Sequence, residues 1–280
     1  MRKILNLFIG MTFIGCLLPA QALACRLWAV ISEVDQGPLV QRHLTEEPKC
    51  LFSLGEEYPD GWSLVYYDKY QPVIIRGGQP ANLDPEFPKA VKKLKKKKSH
   101  IYLGHLRKAS SGCRDGALNP HPFARSFANK QWLFMHNGGI EKKILMDLIG
   151  DDYLEKFPPQ ACPDDPPESW VDSELYFLWI MKNIMMEGNV YKGMVQALKK
   201  VYENVPNENR YLNFVLTDGE KIWAFRKGNE LYYKYRVRPN LTVIASTIPD
   251  PYERDWIPFT ENALMEFTIQ DQPKMIHLIK

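Results

Sequence analysis

The chain has 280 residues, of which 45% are hydrophobic and 25% are charged, and its formal net charge at pH 7 is +3. This balance is typical of a globular protein and excludes intrinsically disordered and collagen-like chains. A net charge this small for the length indicates neither nucleic acid nor an anionic membrane surface as a partner.

The amino-terminal segment has the three parts of a secretory signal peptide. Positions 2–3 are basic, residues 4–18 are almost continuously apolar, and residues 22–24 form a small-x-small cleavage sequence. The apolar run is shorter than the roughly 20 residues that a membrane-spanning helix needs, which favours cleavage over a membrane anchor. We therefore expect residues 1–24 to be removed on export to the periplasm or the extracellular space. One domain, residues 25–280, would remain, with no membrane span.

Cleavage after residue 24 would make Cys25 the first residue of the mature protein. Two explanations for such a cysteine compete, a lipid attachment site and a catalytic nucleophile. A bacterial lipoprotein signal has a large aliphatic residue three positions before the cysteine, whereas this chain has Ala22 there. The sequence is thus more typical of ordinary signal peptidase processing.

Maturation would leave four cysteines, Cys25, Cys50, Cys113 and Cys162. In an oxidising compartment an even number suits two disulfides. If Cys25 is instead a free nucleophile, the other three can supply one disulfide and one unpaired thiol. Spacing alone does not assign the pairing.

Hydrophobic periodicity and turn residues predict the elements along the chain. Strands are predicted at 26–32, 62–67 and 73–76, which are expected to form an initial meander, and further strands at 101–105 and 132–136. Helices are predicted at 85–98, 141–149, 172–187 and 190–204, with a proline-rich surface loop at 157–169. A second, antiparallel meander is predicted at 213–217, 222–226, 231–235 and 242–245. Strands, then paired helices, then strands indicate an α+β domain rather than regular βαβ alternation.

A free amino-terminal cysteine carries its own base. Its α-amino group has an ordinary pKa of about 7.7 to 8.0 and its thiol one of about 8.5, so proton exchange between them is easy near neutral pH. Nucleophile and base are then supplied together, without a histidine.

Further motifs follow Cys25-Arg26-Leu27 along the chain, namely His105-Leu106-Arg107, Ala109-Ser110, His136-Asn137-Gly138-Gly139 and Asp172-Ser173-Glu174. Each motif is weak alone, but their order and spacing together are specific. With them the sequence resembles the class II glutamine amidotransferases, the N-terminal-nucleophile branch. The resemblance is to the stand-alone type that begins Cys-Arg-Leu and includes subunits acting on γ-glutamyl compounds. It extends to roughly Phe267 and includes residues 119–123, Leu212-Asn213, Asp218-Gly219, Ala245-Ser246 and Trp256.

The resemblance implies a fold and a set of roles. The fold is the N-terminal-nucleophile hydrolase four-layer αββα sandwich with two antiparallel sheets. Cys25 would be the nucleophile, and the side-chain amide of Asn137 and the backbone N–H of Gly138 would form the oxyanion hole. Arg107 would hold the α-carboxylate of a glutamine-like substrate and Asp172 its α-ammonium group. Many relatives carry an aromatic residue where this chain has Lys108.

Structural alternatives exist for two of these assignments. Asn137-Gly138-Gly139 is also typical of a tight turn that closes the preceding strand. Asp172 stands where a long apolar helix begins, which suits a helix N-cap or a first-turn acid.

No metal and no cofactor is expected. The candidate metal ligands are His105, His121, His136 and Cys113. No two of them have the spacing of a metal-binding pair, such as C-x-x-C or H-x-x-x-H, and the family needs no metal. His105 and His136 are interpreted as hydrogen-bonded structural residues at strand ends.

The sequence therefore predicts an exported amidohydrolase that acts on a small-molecule amide with an amino-acid end. Because no synthase domain that would receive ammonia is recognisable, water is the expected final acceptor. Two alternatives remain, an N-terminal-nucleophile acylase for another amide and a non-catalytic lipoprotein or disulfide-bonded binding module. No protein partner is indicated.

Overall fold

The computed structural model describes residues 25–109, 121–161 and 166–280. The expected signal peptide, residues 1–24, lies outside the described residues. So do Cys113 and Cys162, Ser110 and Asn119 of the family-like motifs, and residues 162–165 of the proline-rich loop.

The strands are β1 (Arg26–Ser32), β2 (Trp62–Asp68), β3 (Gln71–Gly77), β4 (Ile101–Leu106), β5 (Phe123–Phe127), β6 (Lys130–Gly139), β7 (Tyr211–Thr217), β8 (Ile222–Phe225), β9 (Tyr232–Arg236), β10 (Leu241–Ala245), β11 (Ile257–Pro258), β12 (Ala263–Phe267) and β13 (Lys274–Leu278). The α-helices are α1 (Gly37–Gln41), α2 (Leu51–Leu54), α3 (Glu86–Lys95), α4 (Lys142–Ile149), α5 (Asp151–Lys156), α6 (Asp172–Glu187) and α7 (Val190–Asn204). A π-helical turn spans Arg42–Glu46, and short 3-10 turns span Pro167–Ser169 and Asn207–Asn209.

The strands form two antiparallel sheets. The seven-stranded sheet has the order β11-β9-β10-β1-β4-β2-β3, and the six-stranded sheet has the order β13-β12-β8-β7-β6-β5. The predicted initial meander is wrong for β1, which pairs with β10 and β4, while β2 and β3 form a hairpin. The predicted second meander is divided between the sheets, with β7 and β8 in one and β9 and β10 in the other.

Alternating side chains on each strand separate two hydrophobic layers. On β1, Trp28 and Val30 belong to one cluster, whereas Leu27, Ala29 and Ile31 belong to another. The second cluster also contains Leu133 and Met135 of β6, so it lies between the two sheets. Successive residues of a strand point to opposite faces, which explains how one strand contributes to both layers.

Helices cover the two outer faces. Those of the first half, α1 to α3, bury Val40, Leu51, Phe87 and Leu94 in the cluster that contains Trp28. Those of the middle, α4, α6 and α7, bury a third cluster against Phe134 of β6 and other residues of the six-stranded sheet. The layers are therefore helix, sheet, sheet and helix, and the α+β class and the αββα sandwich that the resemblance implied are confirmed.

In the ranges 25–109, 121–161 and 166–280, no helix combines the length and the apolar composition that a membrane crossing requires.

Candidate functional site

Cys25 and Arg107 are brought together by strand pairing. In the antiparallel pair of β1 and β4, Arg26 lies opposite Leu106. Cys25 precedes Arg26 and Arg107 follows Leu106. In an antiparallel pair these two residues therefore lie at the same end of the sheet. Both are buried, and the Cys25 Sγ lies 3.8 Å from the carbonyl oxygen of Lys108.

The backbone just after Cys25 is fixed by β10. The N–H of Leu27 donates to the Ser246 hydroxyl oxygen at 2.9 Å, and the N–H of Ser246 donates to the carbonyl of Leu27 at 3.0 Å. This is the structural role of Ala245-Ser246, one of the segments that carry the resemblance.

Residues Asp60 and Gly61, which the sequence did not single out, hold the Arg107 segment. The N–H of Arg107 donates to the carbonyl of Gly61 at 2.9 Å, and the N–H of Asp60 donates to the carbonyl of Arg107 at 3.2 Å. The Asp60 carboxylate accepts a third bond, of 2.7 Å, from the N–H of Ala109. Both sides of Arg107 are thus anchored to the start of β2.

An aromatic side chain packs against Lys108, although it comes from a different segment. The ammonium group of Lys108 lies 5.6 Å from the centroid of the Tyr58 ring, and the guanidinium carbon of Arg26 lies 4.3 Å from it. Both distances are within the range of cation–π contacts. Burial raises the pKa of Tyr58, the charge of Arg26 lowers it, and Glu57 and Cys25 raise it. Tyr58 is therefore part of the surroundings of Cys25, although no motif in the sequence singles it out.

Asn137 and Gly138 lie within β6, so the alternative of a closing turn is wrong. They pair with Asn213 and Leu212 of β7, and the strand continues to Gly139. Asn137 follows Leu133 and Met135 on the face between the sheets. By the same alternation Cys25 faces that layer with Leu27. The Cys25 thiol and the Asn137 side-chain amide thus face one space.

The register also shows where the N–H of Gly138 points. The backbone N–H of Leu212 in β7 points away from β6, since it donates to the carbonyl of Lys227 at 3.0 Å. Gly138 opposite Leu212 is then a non-hydrogen-bonded pair, and its N–H points away from β7. On that side β5 begins at Phe123, opposite Phe134, and does not extend to Gly138. The N–H of Gly138 is available to a ligand as far as the described strands are concerned.

Glycine is required at 138 by the backbone and ring that surround it. A Cβ atom there would overlap the carbonyl oxygen of Tyr211 and come within 2.8 Å of the His136 Nε2. At Gly139 a Cβ would meet only the Asp172 Oδ2, at 3.8 Å. The first glycine is sterically fixed and the second is not.

Asp172 is the first residue of α6 and does not cap it. The N-cap position is Val171, with no side-chain capping bond, so the N-cap alternative is wrong, whereas the alternative of a first-turn acid is confirmed. The Asp172 Oδ2 instead accepts a bond of 3.0 Å from the N–H of Ile140, just beyond the end of β6. The carboxylate is buried and lies next to the strand that carries Asn137 and Gly138.

His136 links β6 to the first turn of α6. Its Nε2 lies 3.0 Å from the Tyr211 carbonyl, which only accepts, so this nitrogen carries the proton. The Nδ1 then accepts from the Ser173 hydroxyl at 2.9 Å. Burial lowers the pKa of His136, in keeping with a neutral ring. The hydrogen-bonded structural role expected for His136 agrees with these bonds, but its expected place at a strand end is wrong, because β6 continues to Gly139.

The other predicted histidines form a buried stack. The rings of His105 and His121 have centroids 4.0 Å apart, and burial places the pKa of His121 well below its ordinary value. In the described part of the chain, no three His, Cys, Asp or Glu side chains are grouped to hold a metal. Cys25 and Cys50 are both free thiols.

Two opposite charges act on the Cys25 sulfur. Burial raises the pKa of the thiol, the positive charge of Arg107 lowers it, and the negative charge of Asp172 raises it. Two residues far from Cys25 in sequence therefore act on its thiol. A guanidinium and a carboxylate that both act on one thiol suit a substrate with a negative and a positive end.

Comparisons with known proteins show the family of this chain. The family described as "Glutamine amidotransferases class-II" matches residues 25–246. A Haemophilus influenzae protein named "Putative glutamine amidotransferase" is 28% identical over 185 residues, which cover 65% of this chain and 56% of the relative. An uncharacterized protein of Methanocaldococcus jannaschii is 27% identical over 192 residues, with 66% of this chain and 48% of the relative covered. This chain thus spans about half the length of these curated relatives.

A solved structure is similar over nearly the whole fold. The glutamine aminotransferase class-II domain protein of Silicibacter pomeroyi superimposes with a TM-score of 0.57 at 19% identity. The superposition covers 90% of this chain and 100% of that one. At this identity the likeness supports the shared fold.

Proposed function

Because the chain belongs to the class II glutamine amidotransferase family, we propose that it is an exported amidohydrolase whose amino-terminal nucleophile is Cys25. Its substrate would be glutamine or a γ-glutamyl compound, cleaved at the γ-amide. One observation carries the proposal: the positive charge of Arg107 lowers the pKa of the Cys25 thiol, and the negative charge of Asp172 raises it. Strand pairing and helix placement bring these residues together from three parts of the chain.

The charges support an amino-acid end for the substrate. The planar guanidinium of Arg107 is suited to a bidentate contact with an α-carboxylate. The Asp172 Oδ2 accepts one bond from Ile140, and a carboxylate has further lone pairs for an α-ammonium group. With that end held, the γ-amide would reach the sulfur.

In the proposed reaction the Cys25 thiol gives its proton to its own α-amino group, and the sulfur attacks the amide carbonyl carbon. The oxygen of the tetrahedral intermediate accepts bonds from the Asn137 amide and the Gly138 N–H. The C–N bond then breaks, and the leaving amine takes the proton from the α-ammonium group. Water, deprotonated by the same amine, hydrolyses the thioester and releases the acid and the thiol.

This mechanism requires the bond between residues 24 and 25 to be cut, since the Cys25 nitrogen of the full-length chain is an amide without basicity. The family match begins at Cys25, which supports that position as the start of the active enzyme. We propose that signal peptidase makes the cut, so that activity appears only after export.

The test is to express the whole chain, purify the exported form and measure both its intact mass and ammonia release from glutamine and γ-glutamyl amides. We expect a chain that begins with an unmodified Cys25 and that releases ammonia. Cys25→Ser, which keeps the α-amine and a weaker nucleophile, should lose at least about 100-fold in kcat. A mature form that starts elsewhere, or that carries lipid on Cys25, would refute the proposal.

A one-residue extension gives the sharpest control. A form purified with a single alanine before Cys25 should fold as the mature form does, by circular dichroism and thermal unfolding, and should be inactive. Undiminished turnover in that form would rule out the α-amine as base. Covalent labelling of Cys25 without cleavage of any γ-glutamyl compound would point to an acylase for another amide.

A further inference from the structure

Three asparagines form a hydrogen-bonded chain that ends at the proposed oxyanion hole. They are Asn213 in β7, Asn229 in the turn after β8, and Asn137 in β6. We infer that Asn229 is a positioning residue that fixes which end of the Asn137 amide faces the substrate. The inference rests on the proposed function of Asn137.

Asn213 holds the turn that carries Asn229. Its Oδ1 accepts from the N–H of Lys227 at 2.7 Å, and its Nδ2 donates to the carbonyls of Asn229 and Glu230 at 3.0 and 3.3 Å. A backbone N–H only donates and a carbonyl only accepts, so these partners fix the orientation of the Asn213 amide. Asn213 is fully buried.

The turn has a further constraint at Gly228. This residue has a φ of +92°, and a Cβ there would lie 2.7 Å from the carbonyl oxygen of Arg210. Glycine therefore lets the turn approach β7 closely with a backbone that other residues avoid. Asn213 and Gly228 therefore both restrain the turn that carries Asn229.

Asn229 in turn fixes Asn137. The Asn229 Nδ2 lies 3.0 Å from the backbone carbonyl oxygen of Asn137, which only accepts, so this end of the Asn229 amide is the donor. The same nitrogen lies 3.3 Å from the Asn137 Oδ1. The Asn137 oxygen is therefore held towards the turn, and its nitrogen, with two N–H groups, faces the other way.

Orientation matters because the two ends of an amide have the same shape and opposite polarity. The last torsion of asparagine is broad and roughly two-fold, so torsional preference alone does not choose an end. A reversed Asn137 would present an oxygen to the developing oxyanion and repel it. The hydrogen bond from Asn229 selects the productive end before the substrate binds.

The test compares kcat and KM of Asn229→Asp, Asn229→Ala and Asn137→Ala in the mature enzyme. Asn137→Ala should lower kcat about 100- to 1000-fold, as the loss of one oxyanion donor does. Asn229→Ala removes the orienting bond and should lower kcat about 2- to 10-fold. Asn229→Asp turns a donor into an acceptor that repels the Asn137 oxygen, so its loss should exceed that of Asn229→Ala and approach that of Asn137→Ala.

Two readouts separate positioning from a general effect on structure. The KM and the rate of Cys25 alkylation by iodoacetamide should stay within about twofold of the parent, since neither depends on the oxyanion. In the Asn137→Ala background, Asn229→Asp should cause no further loss of kcat, because Asn229 acts through Asn137. Asn240→Asp is the matched control, since Asn240 is also an asparagine that donates to a backbone carbonyl, that of Asp271; its kcat should be unchanged.

The outcomes distinguish the inference from the proposed function. If Asn137→Ala lowers kcat but both Asn229 variants match the parent, the positioning role is refuted and the function stands. Additive losses in the double variant would refute it as well. If Asn137→Ala itself leaves kcat unchanged, the oxyanion role in the proposed function fails. Should Asn229→Asp fail to fold, Asn229→Ala is compared in the parent and in the Asn137→Ala variant. A loss of kcat in the parent alone supports the positioning role, and a loss in neither or in both refutes it.

Discussion

The Nδ1 of His136 lies 2.9 Å from the Ser173 hydroxyl, and this buried bond ties β6 to the first turn of α6. The two elements carry different parts of the proposed site, Asn137 and Gly138 on the strand and Asp172 on the helix. The bond from the Ile140 N–H to Asp172 is a second tie between them. The relative position of the proposed oxyanion donors and the Asp172 carboxylate is thus set by two buried hydrogen bonds.

Ser173→Ala should therefore weaken both the fold and substrate binding. It leaves the buried His136 Nδ1 without its donor, which costs about 1 to 3 kcal/mol in the free energy of unfolding. Because Asp172 precedes Ser173, we also expect KM to rise more than kcat falls. Urea unfolding and steady-state kinetics measure the two effects. Ser126→Ala, at an exposed serine, should change stability by less than about 0.5 kcal/mol. Equal stability of the two variants would contradict the role of the bond.

The two charged residues beside Cys25 should affect its reactivity in opposite directions. Asp172 raises the pKa of the thiol, so Asp172→Asn should lower that pKa, increase the thiolate fraction at a given pH and speed alkylation by iodoacetamide. Arg107 lowers the pKa, so Arg107→Gln should shift the alkylation profile to higher pH and slow the reaction at neutral pH. Both variants should lose turnover of γ-glutamyl substrates. Shifts of the same sign would show that the two charges do not act on the sulfur as the structure indicates.

Adjacent glycines provide a steric test of β6. Gly138→Ala would place a Cβ into the Tyr211 carbonyl, so we expect a loss of about 1 to 3 kcal/mol in unfolding free energy and loss of activity. Gly139→Ala has space, with its nearest contact at 3.8 Å, and should keep the stability of the parent. Thermal unfolding of both proteins compares them directly. A stable Gly138→Ala enzyme would contradict the close approach of β7.

His43 should make stability fall at acid pH. Burial lowers its pKa from an ordinary value of 6.5 to about 4. The unfolded chain then binds a proton that the folded chain does not, so between pH 6.5 and pH 4 stability falls as the pH falls, by about 3 kcal/mol in total. The His43 Nδ1 accepts from the Trp28 indole N–H at 3.2 Å, and a proton there would break that bond.

The variant that checks this is His43→Asn, because an asparagine oxygen can take the place of Nδ1 as acceptor. Urea unfolding of parent and variant at pH 7 and pH 4.5 separates this histidine from other groups that titrate in the same range. The difference in stability between the two proteins should shift in favour of the variant at the lower pH. A difference that does not change with pH would refute the assignment.

The sequence predicted single elements better than their arrangement. Strand β1 and helices α6 and α7 have the predicted bounds, because their apolar periodicity and flanking turn residues are clear. The segment between β1 and β2 instead folds into α1, the π-helical turn and α2, which are too short to show a helical period. Strand β5 and the terminal strands β11 to β13 were not predicted. Which strands pair depends on contacts between distant segments, and local patterns do not contain that information.

The proposed site divides in the same way. The family-like motifs single out Cys25, Arg107, Asn137, Gly138 and Asp172, and the structure places all five at one end of the sandwich. Asp60, Tyr58 and Asn229 were not identified, since each lies in a turn-rich segment and acts through space. Asp60-Gly61 and Gly228-Asn229 show only as turn signals in the sequence.

The position of β1 has a mechanical consequence. It is the middle strand of seven, with three strands on either side, and its pairing begins at Arg26 with β4 and at Trp28 with β10. Chain ends usually fray because few contacts restrain them. A terminus produced at Cys25 would instead be restrained by the central strand that follows it. The sheet itself would then hold the reactive group of the new terminus in a fixed orientation from one turnover to the next.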